Sequence, residues 1–207
     1  MSGNEPKTER YGKAIFDFQP ELSDGSKGEC ESVEDMFDAA LESAKRVLEN
    51  CVADGYDFMP VAFVYAPLGK PKVNVCLVGE GFPGDGGKRK FGQAMSAFCA
   101  RHNAAAVVIC VDAWATQPPP ELETREEVER WYAKLGGASK SARRTEVLSV
   151  NCIYPDGTAV GVMSEYKRVR GDGEKVRVEW GEVHDMRGSD TKVEQNLIPA
   201  WQKGVLA

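Results

Sequence analysis

The sequence predicts an α+β fold. The sheet is expected to be mixed but mostly antiparallel, built from a hairpin, a crossover strand and a C-terminal meander, with helices packed mainly on one face. Three observations carry this. Apolar residues recur at spacings of three and four in three long segments, the mark of amphipathic helices. Two apolar runs, 59–66 and 72–78, are separated only by Pro67-Leu68-Gly69-Lys70-Pro71, which reads as a hairpin connection. Three later runs are divided by Pro155-Asp156-Gly157-Thr158 and Gly171-Asp172-Gly173, which read as turns.

Residues 1–31 are polar with little periodicity and read as a loosely ordered arm; only residues 14–18 look strand-like. The remaining 32–207 read as one domain. A helix is expected over 33–52, because Val33, Met36, Phe37, Ala40, Leu41, Ala44, Val47, Leu48, Cys51 and Val52 form one stripe. Ser32 and Asp35 cap its start, and Gly55 lies just past its end. The hairpin follows. A glycine-rich segment, 79–87, then leads into a helix expected at 88–102, whose stripe is Phe91, Ala94, Met95, Phe98 and Cys99. Residues 104–111 are almost wholly apolar and read as a central strand, and the crossover from 72–78 is expected to supply one parallel pair. Beyond a proline-rich break at 114–120, Thr124 and Glu127 cap a helix over 125–135, which Gly136-Gly137 ends. Residues 138–142 read as flexible. Strands are expected at 144–154, 159–168 and 175–183, and a short terminal helix at 191–198.

Composition excludes several classes. The chain has 207 residues, is 42% hydrophobic and 28% charged, and carries a formal charge of -6. Such an acidic chain is a poor general binder of nucleic acid or of anionic membrane surfaces. No apolar run approaches the roughly 20 residues of a membrane span, and the start, MSGNEPKTER, has no apolar signal core. The six cysteines, at 30, 51, 76, 99, 110 and 152, show no paired metal-ligand spacing. They read as reduced thiols of a cytoplasmic protein. No metal site and no cofactor is expected.

The richest motif is Gly79-x-Gly81-x-x-Gly84, which matches the dinucleotide fingerprint between a strand and a helix. Against it, the helix is expected to open only near Gly87, Asp112 lies far downstream, and the preceding strand belongs to a hairpin. A P-loop fails too, since Phe82 and Arg89 stand at required positions. A looser anion site remains, formed by Gly79, Gly81, Gly84, Gly86 and Gly87 with Lys88, Arg89 and Lys90, because glycine amides and cations suit phosphate or carboxylate. Asp112 and Trp114, at the end of the apolar strand, are a possible pocket wall. His184-Asp185 offers an oriented imidazole, but no nucleophile elbow accompanies it. The helix 125–135 lies between two breaks. Its Val128, Trp131, Tyr132 and Leu135 either cover its own sheet or anchor a homo-oligomer or protein partner. The basic Lys134, Lys140, Arg143 and Arg144 could then meet the acidic Glu29, Glu31, Glu34, Asp35, Asp38 and Glu42 of a second copy.

The apolar strand ending in Asp112-Ala113-Trp114, a proline-containing loop, and Arg144-Thr145-Glu146-Val147-Leu148 together resemble small α+β proteins of bacteria and their phages. The resemblance covers the middle third of the chain and implies a compact α+β fold but no activity. With no nucleophile motif and no metal cluster, the sequence points to a non-enzymatic accessory or interaction protein. The alternative is a binder of, or enzyme acting on, a phosphorylated small molecule through 79–90.

Overall fold

The first described helix, α1, runs from Val33 to Asp54 and is closed at both ends by its own sequence. Ser32 Oγ accepts the Asp35 amide at 3.0 Å, and Asp35 returns a carboxylate oxygen to the Ser32 amide at 3.1 Å. Gly55 stops it at φ 76°, a left-handed value that glycine adopts without a Cβ penalty. The computed structural model describes residues 31–66, 73–78, 84–170, 175–187, 193–194 and 198–201; for 66, 73–78, 84–88 and 193–194 it describes the backbone. The strand-like segment 14–18 lies outside these residues.

The other elements are β1 (Val61–Ala66), β2 (Val73–Val78), α2 (Gly84–Arg101), β3 (Ala106–Thr116), α3 (Arg125–Leu135), a 3-10 turn (Ala138–Lys140), β4 (Arg144–Ile153), β5 (Thr158–Arg170), β6 (Val176–Asp185) and β7 (Val193–Glu194). This is the expected α+β class. The sheet order is β2-β1-β3-β4-β5-β6, with β7 added to β5. Every described pairing is antiparallel. The expected parallel pair is therefore not formed: β2 and β3 run in the same direction, but β1 lies between them and pairs with both.

The two main helices cover opposite faces, which corrects the expectation of helices mainly on one. Met36, Phe37, Ala40, Leu48 and Val52 of α1 pack with Phe63, Tyr65, Val108, Cys110, Leu148 and Tyr166. The alternate residues Ala62, Val64, Val107 and Ile109 meet Met95 and Cys99 of α2, with Ile198 and Trp201, on the other side. A central strand apolar on both faces requires that arrangement. Trp201 fastens the C-terminal segment there, its indole N–H donating to the Ala104 carbonyl at 3.0 Å.

Some boundaries also differ. Helix α2 opens at Gly84, so Gly84, Gly86 and Gly87 lie inside it, ahead of the expected start at 88; glycine's poor helix propensity is only a weak prior. Of its expected stripe, Ala94 is exposed. Strand β3 continues to Thr116, because the β4 ladder holds it through Thr116↔Arg144. Residues 138–140, expected to be flexible, form the 3-10 turn. The expected terminal helix is contradicted at Val193–Glu194, which pair with Ala159 and Thr158 as a strand. Among the described residues, no helix is long and apolar enough to cross a membrane.

Candidate functional site

The extension of β3 brings Asp112 and Trp114 onto the α1 face. Cross-strand neighbours on that face are Glu146 and Leu148 of β4, then Tyr166 and Arg168 of β5. Strands β3 and β4 are adjacent, with Trp114 opposite Glu146.

These side chains form one polar network. Tyr166, whose ring is buried against Trp180, donates its hydroxyl to Asp112 Oδ1 at 2.7 Å. The Arg168 guanidinium reaches Asp112 Oδ2 at 3.3 Å and Glu146 Oε1 at 3.0 Å, and also the Tyr166 hydroxyl at 3.3 Å. Asp57, exposed at the entry to β1, joins them around an open depression of about 380 Å³, lined by Asp57, Asp112, Ala113, Trp114, Glu146 and Arg168. Trp114 is 42% exposed, and the Arg144 guanidinium lies 4.7 Å from its ring.

Burial lifts the Asp112 carboxyl above its ordinary range, against the pull of the Tyr166 hydrogen bond and Arg168, while Asp57 pushes it further up. Glu146 is raised by burial too; Arg168 lowers it and Asp112 raises it. Burial, then the bond to Asp112, raises the Tyr166 phenol. Asp112 and Glu146 thus share the Arg168 guanidinium, and Asp57 adds a third carboxylate to the lining, so acidic groups there outnumber basic ones.

Gly84, Gly86, Gly87 and Lys88 occupy the first part of α2, Arg89 and Lys90 are exposed, and Gly79 and Gly81 fall outside the described residues. Neither Arg89 nor Lys90 lines the depression. His184 does not pair with Asp185, whose carboxylate is held by Arg187 at 2.6 Å. On α3, Val128, Trp131 and Leu135 are half-buried, while Tyr132 donates its hydroxyl to the Thr116 carbonyl at 2.6 Å.

Sequence reasoning gave no role to Asp57, Glu146, Tyr166 or Arg168. The available signal was Asp112 itself, an acid closing an apolar strand, since a half-buried carboxylate demands donors from neighbouring strands. No protein-family model matches the chain, and neither a curated protein nor a solved structure matches it.

Proposed function

We propose that the chain is a non-enzymatic interaction protein that receives a lysine or arginine side chain of a protein partner in the Asp57–Asp112–Glu146–Arg168 depression. The observation that carries this reading is the charge ratio, three carboxylates around one guanidinium, which an incoming cation would balance. Both oxygens of Asp112 are already engaged, by Tyr166 and Arg168, which favours binding over turnover. Exposed Trp114, with exposed Tyr56 and Met59 flanking Asp57 in sequence, offers the aromatic and thioether surface that suits a protein anchor. Helix α3 extends this surface, since Tyr132 fastens it two residues beyond Trp114 and leaves none of its residues fully buried. A second copy of the chain is one source of the cation, because Lys134, Lys140 and Arg143 form an exposed basic stretch. We place the protein in a reducing cytosol, a reading supported by the thiol of Cys99, buried in the apolar packing between α2 and the sheet.

Calorimetric titration with a capped tetra-arginine peptide tests the site, and sedimentation equilibrium tests its source. Saturable binding that weakens at least tenfold in Asp57→Asn and with added salt is expected. A dimer that dissociates in Asp57→Asn identifies the second copy as partner; a monomer that binds the peptide identifies another basic protein. A monomer without saturable peptide binding, or equal binding by the variant, overturns the proposal. Saturable binding of inorganic phosphate that is lost on Lys88→Ala with Arg89→Ala would move the function to residues 79–90.

A further inference from the structure

A second cluster of chemistry-bearing side chains sits on the opposite face, where β5 meets β6. The ladder pairs Ser164 with Val183 and Tyr166 with Trp180, so Gly181 and Glu182 together oppose the single residue Glu165. That is a β-bulge, which re-aims side chains at a strand edge. Gly181 makes the close approach possible: a Cβ there would stand 3.3 Å from Glu165 Cβ. The bulge brings Glu165 and Glu182 to His184 from two sides. Glu165 Oε1 lies 3.5 Å from His184 Nε2, and Glu182 Oε1 lies 3.8 Å from Nδ1.

The geometry points to a divalent metal site formed by Glu165, Glu182 and His184, for a borderline ion of the zinc or cobalt kind. One ligand atom from each residue lies within 4.8 Å of the others. Metal–ligand bonds of about 2.1 Å set tetrahedral ligand atoms roughly 3.4 Å apart, so closure needs side-chain shifts of about 1 Å. The ligand set selects the ion class: imidazole favours zinc, cobalt or nickel over calcium and magnesium, while carboxylates accept either class. The contacts to the ring are longer than the roughly 2.7–2.9 Å of a strong charge-assisted bond. The described residues give neither glutamate another ion pair. Two carboxylates converging on one imidazole are oxygen donors that a dication can draw together with it. The side chains are 25%, 68% and 33% exposed for Glu165, Glu182 and His184, so water can complete the coordination. Paired-ligand spacing cannot reveal such a site, because the strand ladder, not the local sequence, joins position 165 to 182 and 184.

The test uses the full reduced chain. Calorimetry with zinc chloride should show one equivalent bound, with affinity falling at least tenfold in Glu165→Gln and in His184→Ala. Cobalt(II) should give a visible ligand-field spectrum that both variants lose. Glu165→Gln keeps the side-chain shape, so its result stands even if His184→Ala unfolds. Absence of zinc binding by the wild type, affinity unchanged in Glu165→Gln, or a thiolate-to-cobalt charge-transfer band placing the ion on cysteines would each overturn the proposal.

Discussion

Replacing Tyr166 by Phe removes one oxygen and leaves the packing in place. The ring is 1% exposed and stays against Trp180, with centroids 5.8 Å apart, so no cavity beyond a hydroxyl opens. What is lost is the 2.7 Å hydrogen bond to Asp112, with the weaker 3.3 Å bond that the hydroxyl accepts from Arg168. A hydrogen bond to a charged group contributes about 1.5–3 kcal/mol. The lower end applies here, because the Asp112 side chain is 22% exposed and keeps Arg168. About 1.5 kcal/mol should therefore disappear at neutral pH, or about 3–6 °C of melting temperature for a domain of this size. The pH dependence is a second check. The Tyr166 bond lowers the proton affinity of Asp112 in the folded state, although burial sets that affinity above the ordinary range overall. A contribution of this sign is present when Asp112 is ionised and is lost as pH falls through its folded value. The gap between wild type and variant should narrow on acidification through the carboxylate range. Urea denaturation at several pH values measures both, read as midpoint shifts at constant slope. A gap under about 0.5 kcal/mol at neutral pH, or one that widens in acid, refutes the reasoning.

Arg168→Met should destabilise by about 1–2 kcal/mol at neutral pH, the range for a pair about a third exposed, because Asp112 and Glu146 lose their shared cation. Their raised folded values mean stability is present below the unfolded carboxylate value and lost as pH rises through the folded one, so this variant should recover in acid; a deficit independent of pH counts against the network. In Gly161→Ala the new Cβ would stand 2.5 Å from Asn151 Oδ1 and 2.6 Å from the Val150 carbonyl, so the β4–β5 ladder must shift. We expect a loss of about 1–3 kcal/mol in thermal unfolding, with Asn151→Ala restoring only part because the second contact is backbone; full tolerance would show the ladder to be slack. Ser164 is 1% exposed and its hydroxyl finds no partner among the described residues, so Ser164→Ala should be neutral or stabilise by up to about 1 kcal/mol, and a marked loss in denaturant midpoint would reveal an unseen partner.

Local chemistry wrote the elements into the sequence. Helix α3 has the bounds its capping box and Gly136 dictate, and α1 runs from its Ser32 cap to Gly55. The hairpin β1–β2 and the meander β4–β5–β6 follow from alternating runs and short turns. These features are legible because helix period, strand alternation and capping involve residues within a few positions of one another. Part of the depression was legible as well: Asp112 and Trp114 stand out as polar and aromatic groups closing an apolar strand.

The tertiary structure alone decided the rest. That β1 inserts between β2 and β3, and that α1 and α2 take opposite faces, depends on which buried surfaces satisfy each other across the whole chain. Arg168 lies 56 residues from Asp112, yet the ladders carry it to the same face. The bulge that turns Glu182 toward Glu165 and His184 is a register shift between two strands. Neither site exists until the sheet has chosen its neighbours, because backbone pairing reads no side-chain identity and can join any two extended segments.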